Sequence, residues 1–254
     1  MVGPFGVVGE HVEVGAGTET GPHVVLEGWT TIGRDCRIGT GTVIGAAPQD
    51  HKYAGGRSYV RIGDRNTFRE YTAVHRAADP EGVTAIGNDN YIMGMVHVAH
   101  NCTIGNHTTI TNLVGLSGHI VIEDHAVLGG MTAYHQHTRV GAYAIVGGSC
   151  TVRMDVVPFA LASGEPMRVY GLNREGLKRN GFTPDQQRIL KAGFRILFWS
   201  GLNTTEAVAR LKAEMGGHEH VAHLIRFVEA SQRGLTPGLR VGSGERTAHE
   251  GEEA

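Results

Sequence analysis

Three cysteines in 254 residues, Cys36, Cys102 and Cys150, are too few for a disulfide-stapled scaffold. Aromatic residues reach only 6%, so the core must be built mainly from aliphatic side chains. Neither sign of charge dominates. The 23 Lys and Arg against 25 Asp and Glu leave −2, which excludes a general nucleic-acid binder, because that needs a basic excess. No apolar run approaches about 20 residues, which argues against membrane insertion. No charged-then-apolar leader opens the chain, so a cytoplasmic location is expected. Glycine runs the other way: 38 of them lie far above the usual share of about 7%.

The long apolar run is replaced by a period. From Ile86 to Pro158 every sixth residue is apolar or proline. The same class modulo six runs back through Val74, Phe68, Ile62, Ile44, Ile38, Ile32, Leu26, Val14 and Val8 to Val2, missing at Thr20, Asp50, Gly56 and Pro80. A helix repeats every 3.6 residues and a strand every 2, so neither alone fits. A hexad of one short strand and one turn does fit, and it is the unit of a parallel β-helix. The expectation is an all-β solenoid over residues 1–165, whose stacked hexads bury a core that no single hexad could. Glycine after the phased aliphatic, as in Ile32-Gly33, Ile62-Gly63 and Ile104-Gly105, is expected to supply an unusual φ at a tight turn. Each cysteine lies four residues after a phased aliphatic, in a slot shared with Thr30, Thr42, Thr108 and Thr132, so all three read as structural.

The chain opens in mid-pattern at Val2-Gly3 without the atypical cap that solenoid ends carry, as though a first coil were missing or the start misplaced. The period lapses in a polar stretch from Ala46 to Arg57, and again from Arg76 to Thr84. A polar loop expelled from a regular solenoid is a candidate functional excursion. After Gly164 the pattern turns helical, predicting a small helical domain over 166–235. Its three helices would run from Pro184 towards Trp199 behind Thr183 as N-cap, from Thr204 or Thr205 to about Met215, and from about His220 to Arg233. Residues 236–254, rich in Gly, Glu and Arg, read as a disordered tail.

Three hexads per coil would stack residues eighteen apart, about 4.8 Å from strand to strand. Applied to His100, this arithmetic puts Gly118, beside His119, one coil on, and Gln136, between His135 and His137, two coils on. With His97, one edge of the prism then carries a column of imidazoles. Imidazole suits both proton transfer near neutral pH and metal binding. A metal site needs several ligands converging on one point. An acyl-transfer site needs one basic His, an oxyanion donor and room for a hydroxyl.

The segments His97-Val98-Ala99-His100-Asn101-Cys102, Gly115-Leu116-Ser117-Gly118-His119 and Gly129-Gly130-Met131-Thr132-Ala133-Tyr134-His135-Gln136 resemble the acyl-[acyl-carrier-protein]–UDP-N-acetylglucosamine O-acyltransferase family. So do Gln49-Asp50-His51-Lys52-Tyr53-Ala54-Gly55, Val74-His75-Arg76 and Asn173-Arg174-Glu175-Gly176-Leu177-Lys178-Arg179. The resemblance covers about residues 2 to 235. It implies a left-handed parallel β-helix of hexapeptide repeats with a small C-terminal α-helical domain, working as a homotrimer with sites between subunits. It implies an acyltransferase of lipid A biosynthesis, without cofactor or metal. The enzyme would move a 3-hydroxyacyl chain from acyl carrier protein to the 3-hydroxyl of UDP-N-acetylglucosamine. On this match His100 is the general base, Asn101 its neighbour, and Gly118 the backbone donor to the oxyanion. Asp50, Lys52, His75, His97, His119, His135 and Gln136 match positions near sugar and phosphate. Gly148 matches the position limiting acyl length, and Asn173, Glu175 and Arg179 match positions that reach the nucleotide from a neighbouring subunit.

Two departures stand out. Asn101 occupies a place where the family often has Asp, giving the imidazolium no adjacent negative charge. Gly94-Met95 is less polar than its family counterpart, and leaves open whether the sugar carries a hydroxyl or an amino group at C3. Two alternatives remain: the related N-acyltransferase of the same pathway, and a zinc-dependent hydratase of the carbonic anhydrase type using the His cluster.

Overall fold

A computed structural model describes residues 1–239. Short parallel strands form three sheets, and each sheet takes every third strand, so the chain winds as a three-sided prism. His97 pairs with Gly115 and Gly115 with Ala133, the eighteen-residue stacking that the period predicts. The phased side chains point inward: Ile44, Val74, Ile92, Val98, Ile110, Leu116, Leu128 and Val146 are fully buried. Burying one such side chain contributes about 1.5–3 kcal/mol, so a single hexad is weak and the column is stable only as a stack. In the first coil the phased Val2, Val8 and Val14 lie exposed at the end of that column.

The two lapses explain why the phase survives them. Ile32 pairs with Ile62 and Ile62 with Ile86, thirty and twenty-four residues apart. The extra lengths are twelve and six residues, so each loop leaves the prism and returns in step. The last coil breaks the rule. Val156 bridges to Val140, and Ala162 pairs with Val146, each sixteen residues on. Pro158 therefore closes the numerical series without holding the paired position.

The glycines after the phased aliphatics correct an expectation. Gly33, Gly63, Gly87 and Gly105 are absent from the positive-φ region, which instead takes the residue two places on: Asp35, Arg65, Asp89 and His107, at φ between 55° and 59°. The glycines are needed for clearance, since a Cβ on Gly63 would run into the Gly87 carbonyl of the next coil. The cysteines are buried and free. Cys102 Sγ points at the Ser117 carbonyl, 3.3 Å away, doing what Thr132 Oγ1 does at 2.7 Å from the Gly129 carbonyl. Burial pushes the Cys102 thiol up to about 12, which leaves it inert.

Beyond the prism, Ala160–Ser163 pairs antiparallel with Arg168–Leu172, so the strand pattern runs past Gly164 before helices begin. Among the described residues there are four helices where the sequence suggested three: α1 (Arg174–Arg179), α2 (Pro184–Trp199), α3 (Thr204–Met215) and α4 (Glu219–Glu229). α1 is too short to show an amphipathic period. α2 opens as expected, with Thr183 and Gln186 forming a reciprocal capping box ahead of Pro184. α4 stops at Glu229, four residues before the expected Arg233. The buried Asp155 carboxylate ties this region to the prism, accepting from the Arg139 N–H at 2.8 Å and the Ser231 hydroxyl at 2.7 Å. Of the stretch from Thr236 onward, the described part is hydrogen-bonded: Thr236 N–H donates to the Asp155 carbonyl and Leu239 N–H to the Val169 carbonyl. The remainder of the expected tail lies outside the described residues. Among the described residues no helix is long and apolar enough to cross a membrane.

Candidate active site

The first edge of the prism follows the strand His97–Val98 and carries His100, Gly118 and Gln136 in one register slot, the second place after each phased side chain. At the edge between the second and third sheets the same slot is stitched by side chains. Arg34 N–H donates to Asp64 Oδ1, Asp64 N–H to Asn88 Oδ1, Asn88 N–H to Asn106 Oδ1, and Asn106 N–H to Asp124 Oδ1, all at 2.7–2.8 Å. At the His100 edge that ladder is missing, and among the described residues no acceptor is hydrogen-bonded to the Gly118 N–H. The Gly94 N–H, in the same slot of another edge, is open too, so an open donor alone assigns nothing; beside the His100 imidazole it suits an incoming oxyanion.

His100 is buried, and its ring lies across Gly118, where a Cβ would overlap Cε1 and Nε2. Its Nδ1 is 3.0 Å from Asn101 Oδ1. The same oxygen accepts from the Ala78 N–H at 3.0 Å, while Asn101 Nδ2 donates to Asp79 Oδ2 at 2.9 Å. A backbone N–H can only donate and a carboxylate can only accept, so the amide has one possible orientation. Nδ1 must then carry the proton, which leaves the Nε2 lone pair free to act as a base. Asn101 is itself held, with φ at 60° and its N–H on Thr84 Oγ1 at 2.8 Å.

The first excursion loop comes back over this ring. Asp50 Oδ2 is 3.9 Å from His100 Nε2. The Lys52 N–H, bonding Asp50 Oδ1 at 2.9 Å, is the main cause that holds the Asp50 carboxyl below its ordinary value. The loop is anchored by two residues of the strand Ala73–His75 and its end. His75 Nδ1 is 2.7 Å from the Ala47 carbonyl, and Arg76 bonds the Gly45 carbonyl at 2.9 Å and the Tyr53 hydroxyl at 3.1 Å. The latter anchor was not recognised in the sequence.

The other imidazoles need care. His119 stacks on His137 at 4.6 Å and meets His100 edge-on at 5.2 Å. An equivalent column of His107, His125 and Tyr143 runs along another edge, so stacking alone signals nothing catalytic. Burial, then the neighbouring imidazoles of His137 and His100, lowers the His119 pKa; burial, then His75, lowers that of His97. Both therefore favour the neutral form. His135 and Gln136 are exposed on the same edge. Among the described residues no three His, Cys, Asp or Glu side chains converge to hold a metal ion.

Within one chain three expected groups lie elsewhere. Gly148 is on the edge that follows the third sheet, with Gly130 one coil back and Gly94 in the same slot. Glu175 and Arg179 are exposed on α1. Asn173 is buried and engaged within the chain: its Oδ1 caps α1 at the Gly176 N–H and its Nδ2 donates to the Tyr143 carbonyl. A separate groove of about 940 Å³ lies beside α2, with Leu161, Leu172 and Phe194 on its walls and Arg174, Arg188 and Lys191 at its rim.

Comparison with known proteins identifies the family of this fold. Residues 155–236 match the family model for domain 2 of UDP-N-acetylglucosamine O-acyltransferase, and residues 11–46 match the bacterial transferase hexapeptide model. An acyl-[acyl-carrier-protein]–UDP-N-acetylglucosamine O-acyltransferase of Thermodesulfovibrio yellowstonii is 46% identical over 236 residues, 92% of each chain. Its counterpart in Syntrophobacter fumaroxidans is 42% identical over 237 residues, again 92% of each. The solved Acinetobacter baumannii structure superposes with a TM-score of 0.90 at 34% identity, covering 93% of this chain and 92% of that one. The fold is thus the left-handed parallel β-helix of hexapeptide repeats with a C-terminal helical region, and the chain belongs to the acyl-[acyl-carrier-protein]–UDP-N-acetylglucosamine O-acyltransferase family.

Proposed function

We propose that this protein transfers a 3-hydroxyacyl chain from acyl carrier protein to the 3-hydroxyl of UDP-N-acetylglucosamine, the opening step of lipid A synthesis. The observation that carries this reading is the pairing of a base with a donor: in its neutral form His100 has the Nε2 lone pair free, and its ring fills the space beside Gly118, whose N–H has no partner among the described residues. His100 takes the proton of the sugar hydroxyl as its oxygen attacks the thioester carbon. The carbonyl oxygen gains charge and receives the Gly118 N–H, the carbon–sulfur bond then breaks, and the carrier thiol leaves with a proton from His100. A positioned base contributes about 10²–10⁴-fold, and an oxyanion donor about 10²–10³-fold.

Asp50 and Lys52 reach the sugar nucleotide from the excursion loop, with His75, His97, His119, His135 and Gln136 around them. Glu175 and Arg179 take the nucleotide of a neighbouring subunit, and Asn173 sets the start of their helix. Their separation from His100 in one chain is what supports a homotrimer with sites between subunits. The basic rim and apolar walls of the groove beside α2 suit a protein partner such as the acyl carrier protein. The reaction belongs in the cytoplasm, where both substrates are made. The assay is direct: purified protein, 3-hydroxyacyl carrier protein and UDP-N-acetylglucosamine should yield the 3-O-acyl product. No transfer to this sugar, with transfer to a 3-amino or an already deacetylated analogue, would replace the proposed acceptor.

A further inference from the structure

The departure at Asn101 does not leave the base without a counter-charge. Asp79 stands at the start of the turn Asp79-Pro80-Glu81-Gly82, with Pro80 in the second place and Glu81 at φ 58° in the third, the type II pattern. The Gly82 N–H closes the turn on the Asp79 carbonyl at 2.9 Å. The Asn101 amide is lodged inside this turn, since a Cβ on Gly82 would meet Asn101 Nδ2 at 3.3 Å. From there Nδ2 donates to Asp79 Oδ2, and Oδ1 faces His100 Nδ1.

We propose that Asp79 is a positioning residue for His100, acting through the Asn101 amide, so that the chain His100–Asn101–Asp79 stabilises the imidazolium formed during acyl transfer. The inference rests on the reading of His100 as the base. No proton passes along the chain. The imidazolium keeps its Nδ1 proton on Asn101 Oδ1, and the Asp79 carboxylate polarises the amide that lies between them. The other charged or titratable groups facing His100 are Asp50 near Nε2 and His119 at its ring edge, and neither touches Nδ1. A buried carboxylate bonded directly to a catalytic imidazole is worth about 10⁴ in rate. Asp79 is exposed and one group removed, so solvent screens it, and an effect of about tenfold on the rate is the expected size.

The test compares His100→Ala, Asp79→Ala, Asp79→Asn, Asn101→Asp and the double variant Asp79→Asn with Asn101→Asp in the acyl-transfer assay. Asp79→Asn keeps the shape and removes the charge, so it should lower kcat about tenfold, leave KM for the sugar nucleotide unchanged, and move the acid limb of kcat/KM to lower pH. Asp79→Ala should do the same. Asn101→Asp alone sets two carboxylates against each other where an amide N–H now bridges, and should lower kcat as the other single variants do. In the Asp79→Asn background the same change puts the single carboxylate next to the imidazole, and should restore both kcat and the acid limb. Loss in the single variants with recovery in the double establishes the relay. If His100→Ala abolishes transfer while Asp79→Asn changes neither kcat nor the pH profile, the relay is wrong and the base reading stands. If His100→Ala keeps full activity, the base reading itself falls.

Discussion

The imidazole of His100 fills the space that a Cβ on Gly118, one coil further along the prism, would take. Gly118→Ala should therefore push the ring out of the position it holds beside Gly118. A shift of the order of 1 Å in a reacting group costs about 10²-fold, and that is the expected fall in kcat. The displaced ring is buried and hydrogen-bonded to Asn101, so the melting temperature should fall as well, and fall less when the same change is made in His100→Ala. An active Gly118→Ala enzyme would show that the ring position is not what the site depends on.

Gly148 is exposed, and a Cβ there would meet only Gly130, with its carbonyl at 3.1 Å. A larger side chain extends outward once the Gly130 carbonyl gives by a few tenths of an ångström. In the proposed trimer that outward space is where a long acyl chain runs, so the unmodified protein should prefer donors of the hydroxymyristoyl class or longer. Gly148→Met should shift the preference to shorter donors in a protein that still folds. A donor profile that is already best at the shortest chain, and unchanged in Gly148→Met, would remove Gly148 from the groove.

Period and register were legible in the sequence because a six-residue repeat leaves few folds to choose from. The stacking of His100 over Gly118 followed from that arithmetic alone. Asp79 was not legible as His100's counter-charge, because it sits in an excursion that breaks the eighteen-residue count. Its Asp-Pro-Glu-Gly turn was readable as a turn, but not as a turn closed on Asn101. The clearance glycines were misread for a related reason: a sequence shows that glycine recurs, while only stacked backbones show whether φ or space demands it. Asn173 matched the family motif, yet its buried cap on α1 depends on the Tyr143 carbonyl, thirty residues away in the chain.

Burial gives the imidazole column a cost in acid. His97 has its pKa lowered from 6.5, first by burial and then by His75, and His119 and His125 are lowered mainly by burial. A histidine whose folded value lies below its unfolded value binds more protons when unfolded. Its contribution to stability is complete above about 6.5 and is lost as pH falls towards the folded value. The melting temperature should thus decline between neutral and mildly acidic pH, and His97→Gln should decline less. Parallel curves for the two proteins would mean that His97 titrates as it does in the unfolded chain.

The proposed base and oxyanion donor need no metal, and among the described residues of one chain no set of ligands converges, so the reaction should not depend on one. Extended treatment with a chelator should leave the rate of acyl transfer unchanged. Loss of activity on chelation, restored by zinc, would favour the hydratase alternative.

Assembly can be read separately from chemistry. Exposed Glu175 and Arg179 are proposed to serve a neighbour's nucleotide, so sedimentation at assay concentration should show a trimer. Mixing inactive His100→Ala with inactive Arg179→Ala subunits should recover part of the activity, because each supplies what the other lacks. A fully active monomer would defeat the shared site.

The most direct test of the account is the single-turnover rate of acyl transfer in His100→Ala at saturating UDP-N-acetylglucosamine. If Nε2 of His100 takes the hydroxyl proton, the rate falls by about 10²–10⁴-fold while the sugar nucleotide still binds and the protein melts as before. A rate equal to that of the unmodified protein, in a folded and substrate-binding variant, would contradict it.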